Sequence, residues 1–249
     1  MTFDGGQIRT ILFDYGNTLV PFSHDAVAQL DGAFERALAR HFGRVDREQM
    51  QRLREADRLA PYRGDHREND PVELTANLVC RLYGRRPSPE VLEDLLRVRY
   101  EAFIDAIELP CGVLPLLQRL SGRYRLGLVS NYPDGAAIRH SLRRIGIESM
   151  FEAIVISGEV GYVKPHPCIF NVAAEKLQLD PQSTLLIGDN WLGDVQGAKR
   201  YGMKAAWLRQ YDLVEVFPPN AGDHPPDLVL DHLDELESHL HMDGNERGR

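Results

Sequence analysis

The chain has 249 residues, of which 43% are hydrophobic and 27% charged, ordinary values for a folded globular protein. A formal net charge of -8 argues against a dedicated nucleic-acid-binding protein. No run of about 18 apolar residues occurs, which argues against a membrane partner. The three cysteines form no CxxC pair, and the N-terminal residues have no apolar signal region. We therefore expect a cytoplasmic protein, monomeric or homodimeric.

Short apolar segments indicate the strands of a parallel sheet, because strands covered on both faces lack an alternating pattern. The clear candidates are Thr10–Phe13, Arg125–Val129, Ala153–Ile156 and Thr184–Ile187, and the weaker ones are Lys204–Leu208 and Leu228–Leu230. Helix-length segments are Gly135–Ile145, Cys168–Leu177 and Leu192–Tyr201, with Gly146 and Gly202 at C-cap positions. This alternation predicts a doubly wound α/β fold.

The stretch from Pro21 to Leu109 has helix signals and no strand signals. Capping patterns predict helix starts at Asp46, at Asp70-Pro71 and at Ser88-Pro89. We therefore predict a core of residues 1–20 and 110–249, with an all-helical insertion at 21–109. The polar tail at 241–249 is expected to fray.

Polar side chains directly follow several predicted strands, where open parallel sheets bind their ligands. Asp14 follows the first strand and suits a nucleophile or a Mg²⁺ ligand, although an isolated aspartate more often caps a turn. Ser130 and Asn131 end the second strand and can donate to phosphoryl oxygens, and a simple turn is the alternative.

Two further segments carry charges suited to phosphate chemistry. Lys164, one of only four lysines, lies in the sequence GYVKPHP and can neutralise a carboxylate and a phosphate together. Asp189 follows the strand at 184–187, and Asp194 comes five residues later. Asp189 suits Mg²⁺, and Asp194 suits Lys164 or a metal-bound water. The alternatives are a solvated lysine and two helix-capping aspartates.

The order Asp, Ser-Asn, Lys-Pro and Gly-Asp…Asp resembles the four-motif pattern of the haloacid dehalogenase-like (HAD) superfamily over residues 10 to about 240. The resemblance implies a Rossmann-like core with a mobile helical cap, and the motif spacing is similar to the nucleotidase-like and sugar-phosphate phosphatase branches. It also implies residue roles. Asp14 would be the nucleophile, Ser130 and Asn131 would bind the phosphoryl group, Lys164 would stabilise both charges, Asp189 would bind Mg²⁺ with Asp14 and the Gly16 carbonyl, and Asp194 would support them.

The sequence departs from that pattern at Gly16, where phosphatases of the family usually have a proton-transferring aspartate. Such acid–base help is worth roughly 10²- to 10⁴-fold in rate. Candidate substitutes near the cap hinge are His24, Asp25 and Asp134, and Tyr15 is less suitable. The residues therefore favour a Mg²⁺-dependent phosphatase acting on a small phosphorylated metabolite.

Two alternatives stay open. One is a dehalogenase acting on 2-haloacids, which is disfavoured because Gly188-Asp189 resembles the Mg²⁺-dependent members. The other is a weakly active or non-catalytic binding protein. The arginines within 52–67 can hold an anionic substrate tail, although a solvated helix face is the simpler interpretation. Tyr62 and Trp191 can stack on a substrate ring or simply pack.

Overall fold

The structure is a computed structural model that describes residues 3–211 and 217–240. Six parallel strands form one sheet in the order β3-β2-β1-β4-β5-β6. The strands are β1 (Thr10–Phe13), β2 (Arg125–Ser130), β3 (Ala153–Ile156), β4 (Thr184–Gly188), β5 (Lys204–Leu208) and β6 (Leu228–Leu230). The order, which reverses direction beside β1, confirms the predicted α/β fold.

Helices occupy both the connections of the sheet and the long segment after β1. The α-helices are α1 (His24–Phe42), α2 (Arg47–Arg63), α3 (Pro71–Tyr83), α4 (Pro89–Ala106), α5 (Val113–Ser121), α6 (Gly135–Arg144), α7 (Ser157–Val160), α8 (Pro167–Leu177), α9 (Gly197–Tyr201) and α10 (Leu236–His239). In the part of the chain that the structure describes, no helix is long and apolar enough to cross a membrane.

Both faces of the sheet are covered, which explains why its strands read as continuous apolar runs. In β1, Ile11 and Phe13 belong to one buried cluster, whereas Leu12 belongs to the cluster on the opposite face. Gly127 in β2 lies level with Leu12, and a Cβ atom there would come within 2.7 Å of the Leu12 side chain. The glycine therefore allows the close packing of this face.

Helices α1–α4, called the cap helices below, have a buried core of their own that includes Phe34, Leu38 and Leu95. The predicted starts are confirmed, because Asp46 accepts from the Gln49 amide and equivalent caps open α3 and α4. We propose that the cap helices form the separate domain expected at 21–109.

A short segment of the cap pairs with the loop that leads to Lys164. Residues 66–68, called the strap below, lie antiparallel to residues 161–163. The Glu68 amide donates to the Gly161 carbonyl at 3.0 Å, and the Val163 amide donates to the His66 carbonyl at 2.9 Å. The Glu68 carboxylate also accepts a hydrogen bond from the Ser157 hydroxyl. The strap thus joins the segment between α2 and α3 to the segment between β3 and α8.

The main difference from the prediction lies after β4. The segment predicted as one helix at Leu192–Tyr201 is a π-helical turn at Trp191–Gln196 followed by α9. The Asn190 side chain, which accepts from the Gly193 amide at 2.6 Å, starts this turn. Strands β2 and β4 each extend one residue further than predicted. The tail predicted to fray, 241–249, lies outside the described residues.

Candidate active site

The carboxyl ends of β1, β2 and β4 bring the candidate residues to one edge of the sheet. Because β1 lies between β2 and β4, Asp14 lies between Ser130 at the end of β2 and Asp189 just after β4. The Asp14 amide donates to the Ile187 carbonyl at 2.9 Å, which continues the β1–β4 pairing into the site. Asp14 and Ser130 are both buried.

The Lys164 ammonium group lies at the centre of this edge and is only 2% exposed. Its Nζ donates to Asp14 Oδ1 at 2.6 Å, to Asp194 Oδ1 at 2.6 Å and to the Val129 carbonyl at 2.7 Å. An ammonium has three protons, so all of its donors are in use. Lys164 therefore acts on its surroundings mainly as a fixed positive charge.

Both carboxylate oxygens of Asp194 accept hydrogen bonds, the first from Lys164 as described above. Its second oxygen, Oδ2, accepts from the Asn190 amide at 3.0 Å, and the residue is 1% exposed. A Cβ atom on Gly188 would lie 2.1 Å from this oxygen, so a larger residue would displace the carboxylate. The Gly188-Asp189 pair thus leaves room for Asp194 at the end of β4.

The charges in this pocket shift one another's protonation. Burial raises the pKa of Asp14 to about 6, although Lys164 opposes the shift. Burial also raises the pKa of Asp189 well above its usual value, and the nearby charges of Asp14 and Asp194 add to this. For Lys164, burial favours the neutral amine, but the two aspartates it contacts outweigh burial and raise its pKa.

This arrangement fits a divalent cation. Oxygens of Asp14, Asp189 and Asp194 lie within 4.8 Å of one another, and carboxylate oxygens are the ligands that Mg²⁺ prefers. Asp194 already uses both oxygens, on Lys164 and on the Asn190 amide. Asp189, by contrast, has no ion-pair partner among the described residues. The open carboxylate positions are therefore on Asp14 and Asp189, the two expected metal ligands.

Asn131 holds the lysine loop rather than pointing freely into the site. Its Oδ1 accepts from the Lys164 amide at 2.7 Å, and its Nδ2 donates to the Lys164 carbonyl at 3.1 Å. The same Nδ2 donates to the Tyr62 hydroxyl at 2.9 Å. Its carboxamide is thus engaged, and its expected role in phosphate binding stays a prediction.

Tyr62 brings the end of α2 to this edge of the sheet. Burial raises its pKa to about 12, and the charges of Lys164 and Asp194 also act on it. The sequence offered it only as a packing or stacking residue, because nothing in its neighbourhood marks a tyrosine at a helix end as a site residue. Trp191 packs in the core, and its Nε1 donates to Asp223 at 2.8 Å.

The surroundings of Gly16 contain a ring in place of a carboxylate. A Cβ atom at Gly16 would lie 3.0 Å from two ring carbons of Phe22, so the ring covers the position where a side chain would begin. Tyr15 points away into the core, where its hydroxyl bonds Ser141 at 2.7 Å and burial raises its pKa to about 12.

The other candidate acids lie at helix starts. His24 and Asp25 are exposed in the first turn of α1. Asp134 caps α6 by accepting from the Ala137 amide at 3.0 Å. None of the three makes a hydrogen bond to Asp14 or Lys164 in the described structure, and the role proposed for them stays a prediction.

Comparison with known proteins decides the family. A family model described as haloacid dehalogenase-like hydrolase matches residues 8–202. The chain belongs to this family. Glyceraldehyde 3-phosphate phosphatase of Methanopyrus kandleri is 29% identical over 92% of this chain and 96% of its own length. Pyrimidine 5'-nucleotidase YjjG of Escherichia coli is 34% identical over 45% of this chain and 51% of its own length.

Solved structures show the same fold. The HAD hydrolase YfnB of Bacillus subtilis, bound to magnesium, matches with a TM-score of 0.68 and 21% identity, covering 94% of this chain and 98% of that one. A 2-haloacid dehalogenase of Pseudomonas syringae pathovar tomato matches with a TM-score of 0.71 and 23% identity, at the same coverage. With its phosphatase-named relatives, the chain is a HAD hydrolase of the phosphoric monoester class.

Proposed function

We propose that this protein is a Mg²⁺-dependent phosphatase that hydrolyses a small phosphomonoester through an aspartyl-phosphate on Asp14. The observation that carries the proposal is the group of Lys164 and three aspartates beside the ends of β1 and β4, in which Lys164, Asp14 and Asp194 are buried. Phosphoryl transfer needs a positioned nucleophile and neutralised charge, and this group supports both needs.

The first step forms a bond from Asp14 to phosphorus and breaks the bond from phosphorus to the ester oxygen. A carboxylate oxygen of Asp14 attacks, and the Lys164 ammonium, 2.6 Å from Oδ1, holds the carboxylate in position. The leaving alkoxide takes up one proton. Water then hydrolyses the aspartyl-phosphate, giving inorganic phosphate and restoring the Asp14 carboxylate.

The other residues position these groups. Ser130 would donate its hydroxyl to a phosphoryl oxygen, and Asn131 would hold the Lys164 backbone in place. Asp189, Asp14 and the Gly16 carbonyl would hold Mg²⁺, which supplies positive charge for the phosphoryl oxygens. Asp194 would keep the Lys164 ammonium directed at Asp14.

The proton for the leaving group has to come from a residue other than Gly16. We propose that the cap supplies it, with His24 and Asp25 at the start of α1 as the first candidates. His24→Ala and Asp25→Asn should each slow hydrolysis of alkyl phosphates and spare an aryl phosphate, whose leaving group needs no acid. Full activity of both variants on alkyl phosphates would end this version of the proposal.

The principal experiment measures phosphate release from sugar phosphates, nucleotides, acyl phosphates and an aryl phosphate, with and without Mg²⁺. Asp14→Asn is the test variant, and Asp105→Asn, which removes an exposed carboxylate on α4, controls for a general charge effect. We expect release that requires both Mg²⁺ and Asp14. Absence of release from every compound, together with halide release from a 2-haloacid, would replace the phosphatase by the dehalogenase alternative.

A further inference from the structure

An aromatic layer runs from the nucleophile's neighbour to the cap. The Phe22 ring covers Gly16, and its centroid lies 5.8 Å from that of Phe103 on α4. The Phe103 ring in turn lies 4.5 Å from the ring of Tyr132, the second residue after Ser130. The layer therefore leads from the loop after the catalytic aspartate, through α4 of the cap, to the loop after β2.

Arg99 lies on α4 beside this aromatic layer. It precedes Phe103 by one helical turn on α4, so both residues share the face that meets Tyr132. Its guanidinium lies over the Phe34 ring at 5.8 Å and donates once, to the Thr75 hydroxyl at 3.2 Å. A guanidinium has five N–H donors, so most of them remain available.

The charge of Arg99 is not neutralised by a direct partner. Arg54 lies over the same Phe34 ring at 5.6 Å but is paired with Asp31. Arg99 has no carboxylate at ion-pair distance among the described residues, and Asp134 and Asp57 act on it only from further away. Burial, followed by the charge of Arg54, lowers the pKa of Arg99, as expected for a cation without an anionic partner.

The Tyr132 hydroxyl, on the loop after β2, is the second polar group beside this aromatic layer. Its charge interactions include Arg99, Arg54 and Asp134, and no described residue forms a hydrogen bond with the hydroxyl. Arg99, one turn before Phe103, and Tyr132, whose ring packs on Phe103, therefore both carry N–H or O–H groups that no described residue uses.

We propose that Arg99 and Tyr132 form a second anion subsite that binds a carboxylate at the far end of the phosphomonoester substrate. One unpaired positive charge matches a single carboxylate, which accepts two N–H bonds from a guanidinium fork. The inference rests on the proposed phosphatase function and specifies its substrate class. It also assigns a role to an arginine outside the arginine-rich stretch at 52–67.

The test compares two esters that differ in the carboxylate alone, 3-phosphoglycerate and glycerol 3-phosphate, with Mg²⁺ present. We expect the wild type to have the higher kcat/KM on the carboxylate ester. Arg99→Gln should lower the ratio of the two kcat/KM values by about 10- to 100-fold, mainly through KM. Arg97→Gln, an exposed arginine two residues away on α4, should leave the ratio unchanged.

Further variants keep the test decisive if Arg99→Gln folds poorly by circular dichroism. Tyr132→Phe removes one hydroxyl and should lower the ratio several-fold, and Arg99→Lys should restore part of it through charge alone. A wild type that does not favour the carboxylate ester, or an unchanged ratio in both Arg99→Gln and Tyr132→Phe, would overturn the subsite.

Failure of the proposed function gives a different result. If the wild type hydrolyses neither ester, nor any compound of the wider panel, the phosphatase proposal fails. Calorimetric titration of Asp14→Asn with both esters then tests the subsite by binding alone. Tighter binding of 3-phosphoglycerate, lost on adding Arg99→Gln, would support the subsite, and equal or absent binding would refute it.

Discussion

Replacing Lys164 by methionine tests the central charge arrangement most directly. Methionine has a similar length, so the main loss is the ammonium and its three hydrogen bonds, to Asp14, Asp194 and the Val129 carbonyl. The two carboxylates, which are buried, then have no shared cation. Removing one partner of a buried ion pair costs about 3–5 kcal/mol, and we expect the free energy of unfolding to fall by that amount.

The assay is urea unfolding followed by circular dichroism, without divalent cations. Lys199→Met is the matched control, because its ammonium pairs with Asp227 at 2.7 Å but is 20% exposed, so its loss should cost about 1 kcal/mol or less. Adding Asp14→Asn to Lys164→Met removes one of the two repelling charges, and the double variant should be more stable than Lys164→Met alone. Equal costs for Lys164→Met and Lys199→Met would refute the reasoning.

Three further substitutions follow from contacts at the site. Gly188→Ala should displace Asp194, because an Asp194 oxygen would lie 2.1 Å from the new Cβ atom. We expect kcat to fall at least tenfold and the melting temperature to fall as well. An unchanged kcat would contradict this account of the packing. Gly16→Ala should lower the free energy of unfolding by about 1–3 kcal/mol, because the new methyl group would press on the Phe22 ring. Adding Phe22→Leu to Gly16→Ala should recover part of this loss. Equal stability of Gly16→Ala and the wild type in urea would count against this contact. Tyr62→Phe should raise KM several-fold with little change in melting temperature, because it removes the hydroxyl that accepts the hydrogen bond from Asn131. A KM equal to that of the wild type would show that this hydrogen bond does not contribute to substrate binding.

The sheet and the cap helices could be predicted from local signals. Strands such as Thr10–Phe13 lie at the centre of the sheet, and their continuous apolar character reflects cover on both faces. Helix starts at Asp70 and Ser88 followed from side-chain caps, which act within three residues. The candidate residues were recognisable because the carboxyl ends of neighbouring parallel strands meet at one edge.

What the sequence could not supply depends on contacts between distant segments. Tyr62 meets Asn131, 69 positions away, and neither residue type marks such a pair. Arg99 is one of many arginines in the cap helices, and only its place beside Tyr132 and its lack of a carboxylate distinguish it. The π-helical turn at Trp191–Gln196 was missed for a related reason, since it accommodates Asp194 against Gly188.

The strap has a consequence for exchanging parts between related enzymes. The cap helices join the sheet through the chain on either side of them, and residues 66–68 add backbone hydrogen bonds to the loop of Lys164. In a chimaera that takes its cap from a relative, residues 161–163 would pair with the relative's segment in place of residues 66–68. The Ser157 hydroxyl would also lose Glu68 as its acceptor. Transplanting the cap successfully should require carrying the matching 157–164 loop with it, so that specificity and the catalytic lysine are inherited as one piece.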